Sequence, residues 1–80
     1  MKYRINKSIT FFYDSDGYFN KTFYVDDIID VKLRGEVPIV YKKILLVGIR
    51  DTYIICRNLD TNSTLNLLLD DIIGINKISK

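Results

Sequence analysis

The sequence predicts an all-β protein: a small SH3-like or Sm-like barrel of five to seven short strands, with little or no helix. Three observations carry this. The chain of 80 residues contains no Ala, the strongest helix former. It contains 13 Ile, 5 Val and 5 Thr beside 6 Tyr and 4 Phe, side chains that suit a pleated, half-buried surface. Apolar and polar residues also alternate over short runs separated by turn residues, too short in total for a two-sheet sandwich of ordinary size. One domain spanning residues 1–80 is expected, because a second core does not fit in this length.

The opening segment alternates from Lys2 to Tyr13. Tyr3, Ile5, Ile9, Phe11 and Tyr13 fall on one face, and Lys2, Arg4, Asn6, Ser8 and Thr10 on the other. This predicts one long strand with a core face and a wet face. Lys7 is the misfit, where a bend would fall. Asp14-Ser15-Asp16-Gly17 has hairpin-turn chemistry, and the chain returns as Tyr18–Val25, with Phe19, Phe23 and Val25 sharing a face. After Asp26-Asp27 the pattern resumes over Ile28–Arg34, with Ile29, Val31 and Leu33 together. Gly35-Glu36-Val37-Pro38 is the clearest break. Ile39–Ile49 follows as a long strand with Gly48 as a bulge candidate. Arg50-Asp51 then turns the chain into Thr52–Arg57. The stretches ILLVGI and TYIIC are apolar on both faces, so these strands are expected to be central or covered by a partner. Asn58–Ser63 is a turn by composition, and Thr64–Leu69 and Ile73–Ile78 are the last strands.

A short repeat stands out. Residues 23–31 align with residues 67–75 at an offset of 44, around a shared Asp-Asp-Ile-Ile. The plain physical reading is a recurring corner, in which a strand ends, aspartates accept backbone N–H groups, and Ile-Ile opens the next strand. Duplication of a three-strand unit is the alternative.

Catalysis is hard to assemble from this inventory. There is no His, so Cys56 and Ser8, Ser15, Ser63 and Ser79 lack the usual base. Cys56 lies in an apolar strand, where an inert core thiol is expected. One Cys excludes an intrachain disulfide and a thiolate zinc site within the chain. Asp14 and Asp16 flank a hairpin tip and read as turn residues. The four Gly are scattered, so no phosphate loop occurs. A non-enzyme without metal or cofactor is expected. The longest apolar run, residues 44–49, is six residues, against roughly 20 for a membrane span. No export signal follows the basic residues at the start, so a cytoplasmic location is expected. Ile, Asn, Lys and Tyr, all with AT-rich codons, point to a low-GC bacterial or phage genome.

Thr52-Tyr53-Ile54-Ile55-Cys56-Arg57 resembles the Trp-Tyr-Leu strand that defines the WYL domains of bacterial transcriptional regulators, with Tyr53 on the Tyr position. Leu67-Leu68-Leu69-Asp70-Asp71-Ile72 is similar to that family's Phe-Arg-Leu-Asp-Arg-Ile phrase, and Ile9–Tyr13 with Gly17 is similar to its first hairpin. The resemblance implies an Sm-like barrel. The family's Trp falls on Thr52 and its two arginines on Leu68 and Asp71, so the guanidinium groups suited to anions are not carried over. No counterpart of the family's helical DNA-binding domain is expected within these 80 residues.

Charge is patterned: residues 1–13 carry +3, 14–30 carry −4, 31–50 carry +4 and 51–80 carry −1. Lys2 and Arg4 lie on the wet face of the first strand, and Lys32 and Arg34 on that of a later one. Were those strands neighbours, they would form a basic stripe beside Tyr18 or Tyr24, suited to single-stranded nucleic acid. The surplus of apolar residues points instead to a protein-covered surface. The leading expectation is therefore a non-catalytic interaction module that self-associates or binds a protein partner, as a regulator, adaptor or phage-encoded inhibitor. An Sm-like nucleic-acid binder using Lys2, Arg4, Lys32 and Arg34 is the alternative. A small-ligand sensor using Tyr53 and Arg57 ranks last, and no membrane partner is expected.

Overall fold

A computed structural model describes residues 2–12 and 20–78. The chain forms β1 (Lys2–Ile5), β2 (Ile9–Phe12), β3 (Asn20–Phe23), β4 (Ile28–Leu33), β5 (Ile39–Ile49), β6 (Tyr53–Asn58), β7 (Ser63–Leu68), a 3₁₀ turn (Leu69–Asp71) and β8 (Ile72–Lys77). Every pairing is antiparallel. The protein is all-β, with two sheets: a three-stranded one ordered β1-β2-β3 and a five-stranded one ordered β7-β6-β5-β4-β8. Its outer strands β7 and β8 are joined through the 3₁₀ turn but are not hydrogen-bonded to each other.

The opening segment is a hairpin, not one long strand, which raises the strand count to eight. Lys7 takes a left-handed φ of 56° between the two arms. The alternation hid the turn for a geometric reason. Ile5 pairs with Ile9 across a three-residue connection, so odd positions face odd positions and the pattern passes through without a phase break. Asn6 and Ser8, both turn formers, were the legible signal. β2 also pairs with β3, where Thr10 Oγ1 and Thr22 Oγ1 share a hydrogen bond of 2.9 Å at directly opposed positions. Val25 does not join Phe23 on a buried face. β3 ends at Phe23, the chain turns, and Val25 is exposed. The expected turn at Asp14–Gly17, and Tyr18 and Phe19 after it, lie outside the described residues.

The remaining elements follow the sequence pattern. β4 buries Ile29 and Val31. β5 spans the expected residues, and its register slips between Leu46 and Gly48, so the bulge falls beside Gly48. A second bulge sets Lys42 and Lys43 opposite Asp30, between the Ile29–Ile44 and Val31–Tyr41 pairs. Both sheets feed one core. Ile9, Phe11 and Phe23 of the three-stranded sheet join Ile29, Val31, Ile44, Leu46, Ile54, Cys56 and others of the five-stranded sheet. The Phe11 and Phe23 rings meet edge-on at 6.0 Å between centroids, a favoured aromatic geometry. No polar or charged residue among those described is buried, so burial of such side chains, about 1.5–3 kcal/mol each, carries little desolvation cost.

The repeated segments meet. Val31 and Ile75, at matching positions of the alignment, are register partners across β4 and β8.

Candidate functional site

Two surfaces of the five-stranded sheet stand out. The first is the outward face of β5, β6 and β7. Strand alternation buries Leu46, Ile54, Cys56 and Leu67 inward, which turns Leu45, Tyr53, Ile55 and Leu68 outward. Tyr53 is opposite Leu68, and Ile55 is opposite Gly48. A Cβ on Gly48 would lie 3.3 Å from Arg50 Nη1 and 3.5 Å from Ile55 Cδ1, so these two side chains close over the glycine. Val47, displaced by the bulge, is 39% exposed and Leu68 55%. The two central strands therefore bury one apolar face and leave a second one half open. Arg57 lies on this same face, opposite Leu45 and Thr64. Tyr53 and Arg57 thus sit four residues apart along β6, with Ile55 between them on this face, at the edge of an apolar patch.

The second surface crosses β5, β4 and β8. Lys32 pairs with both Val40 and Gly74, and Asp30 is opposite Asn76. A shallow groove of about 230 Å³ runs here, lined by Asp30, Val31, Lys32, Val40, Gly74 and Asn76. Lys43 holds a left-handed φ of 55° in the bulge, and its backbone N–H donates to Asp30 Oδ1 at 2.8 Å. At the far end Lys21 of β3 donates to Asn76 Oδ1 and ties the two sheets together.

The expected basic stripe is divided. Lys2 and Arg4 lie on β1, Lys32 lies on β4 and Arg34 just after it, and these strands belong to different sheets. Arg4 sits over its neighbour's ring, 5.6 Å from the Phe12 centroid, so it caps its own hairpin. Tyr24 is exposed at the corner after β3, where its N–H donates to Asp27 Oδ2 at 2.8 Å; Tyr18 lies outside the described residues. Lys42 and Lys43 lie on β5, the hydrogen-bonded neighbour of the β4 strand that carries Lys32, whereas β1 pairs with β2. Their signal in the sequence was a Lys-Lys pair breaking the apolar pattern of β5.

Cys56 is buried, and removal from water pushes its thiol up to about 12, so it is protonated and unreactive at neutral pH. Among the described residues no group of three or more Asp, Glu or Cys side chains is placed to hold a metal ion. Asp14 and Asp16 lie outside them. No helix among the described residues is long and apolar enough to cross a membrane. No family model, curated protein or solved structure matches the chain.

Proposed function

We propose that this chain is a non-catalytic protein-interaction module built on a small SH3-like or Sm-like barrel, whose first partner is a second copy of itself. The strand order β7-β6-β5-β4-β8, with the two outer strands joined by a single 3₁₀ turn, supports the barrel reading. The observation that carries the interaction reading is the outward face of β5–β7. There Leu45, Val47, Tyr53, Ile55 and Leu68 are partly or largely exposed on one side of three adjacent strands. Apolar residues at this density on one face gain free energy when another surface covers them. A regulator, an adaptor or an inhibitor of a host factor all fit a module of this kind.

Sedimentation equilibrium on the purified chain tests this. Self-association is expected, with Val47→Asp and Leu68→Asp together shifting the protein to monomer while its far-UV spectrum is unchanged. A chain that stays monomeric at high concentration overturns the reading, as does an oligomer indifferent to both substitutions.

A further inference from the structure

Lys32 lines the groove across β5, β4 and β8, and the strands that frame it also carry Lys42 and Lys43 in the β5 bulge and Arg34 just beyond β4. Lys32, Arg34, Lys42 and Lys43 are all exposed, and their side chains make no ion pair with any described residue; the ion pair found nearby joins Lys77 to Asp27 at 3.3 Å. The bulge intensifies this. It places two lysines side by side where a regular strand would present one outward, and it does so with Lys43 in a left-handed conformation that L residues rarely adopt. Asp30, the one carboxylate lining the groove, already accepts the Lys43 N–H.

The floor is equally specific. Gly74 has no left-handed φ, and a Cβ there would meet only Lys32 Cβ, at an ordinary 3.5 Å. Neither backbone conformation nor packing therefore requires glycine. Its effect is to leave open ground beside Lys32, where a ligand backbone can approach closely. No aromatic side chain lines the groove, so recognition there rests on charge and close approach, not base stacking.

We propose that this groove binds the phosphodiester backbone of single-stranded nucleic acid without sequence preference, with Lys32, Arg34, Lys42 and Lys43 as the phosphate contacts and Gly74 as the floor. The site is distinct from the apolar patch on β5–β7. It takes two of its four cations from the stripe read in the sequence and replaces the two on β1 with the bulge lysines.

Fluorescence anisotropy of a labelled oligothymidylate, titrated with the full chain over a salt series, tests the proposal. Four phosphate contacts give a slope of log affinity on log salt of about −3, a loss of about 50-fold between 50 and 200 mM salt. Lys42→Glu with Lys43→Glu is expected to weaken binding by about tenfold or more and to flatten the slope. Gly74→Val, which alters no charge, is expected to weaken it as well. Repeating the titration with Val47→Asp and Leu68→Asp separates this site from self-association, since binding is expected to persist in that variant. Absence of binding at low salt overturns the proposal, as does binding indifferent to the lysine reversals or to Gly74→Val. Equal competition by polyglutamate at matched charge also overturns it, and assigns the surface to an acidic protein instead.

Discussion

Asp26-Asp27-Ile28-Ile29 and Asp70-Asp71-Ile72-Ile73 are the same four residues in two corners, each leading into one of the paired strands β4 and β8. The first is closed by side chains and a strained backbone, in addition to backbone bonds from the Asp26 N–H to the Leu46 carbonyl at 2.8 Å and from the Leu46 N–H to the Asp27 carbonyl at 2.9 Å. Asp26 has a φ of 83°, Asp27 Oδ2 accepts the Tyr24 N–H, and Asp27 is paired with Lys77. The second is a 3₁₀ turn with no side-chain cap, held by backbone bonds to other loops: Leu69 N–H to the Thr52 carbonyl at 2.9 Å and Arg34 N–H to the Asp71 carbonyl at 2.7 Å. The isoleucines change roles too. In the first corner the second one, Ile29, is fully buried. In the second corner the first one, Ile72, is 2% exposed while Ile73 is 42% exposed. A register shift between Lys32 and Leu33 against β8 moves the phase by one residue before Val31 and Ile75 meet. Four identical residues thus carry no fixed inside and outside; the strand they must pair with assigns it.

The largest effect that sharpens this contrast is in the isoleucines. Ile29→Ala and Ile72→Ala are each expected to cost about 2–5 kcal/mol, whereas Ile73→Ala is expected to fall within about 0.5 kcal/mol of the parent. Urea denaturation measures all three. A domain of this size has about 4–12 kcal/mol to lose, so the Val substitutions, at about 0.5–1.5 kcal/mol when buried, give the same ranking in a folded protein. Equal losses at positions 72 and 73 would show that the phase shift is absent.

A smaller difference separates the aspartates. Asp27→Ala removes a backbone acceptor and the Lys77 partner, and should cost about 1–2 kcal/mol. Asp71→Ala removes only an uncapped carboxylate and should stay within about 0.5 kcal/mol. Similar losses in thermal unfolding at the two sites would mean that both corners rest on their side chains. Smallest, but opposite in sign, is the glycine test. Asp26→Gly relieves a left-handed residue and is expected to raise stability by up to about 1 kcal/mol. Asp70→Gly, in the 3₁₀ turn, is expected to lower it by about 0.5–1 kcal/mol. The comparison breaks if both changes move stability the same way.

The corners also mark how far the sequence could be read. β4, β5 and β6 were legible almost to the residue, because their apolar runs are bounded by Gly35–Pro38, Arg50-Asp51 and Asn58–Ser63. The hairpin of β1 and β2 was not, since its loop length keeps odd positions facing odd positions. Of the site residues, Lys32 and Arg34 were visible as wet-face cations, and Tyr53 as an outward residue on β6. Their association with Lys42, Lys43 and Gly74 was invisible, because it depends on which strands become neighbours and on a bulge that no composition signals. Lys2 and Arg4 share the charge of that cluster but belong to another sheet.

By itself the sequence determined the all-β class, the positions of most strands and the apolar residues from which the core is drawn, because side-chain period and turn chemistry are local properties of the chain. Tertiary structure alone decided the partition into two sheets, the phase of each isoleucine pair and the placement of Lys32 between Val40 and Gly74. Those features are relations between strands distant in sequence, set by register and bulges, and a one-residue slip in either reverses them.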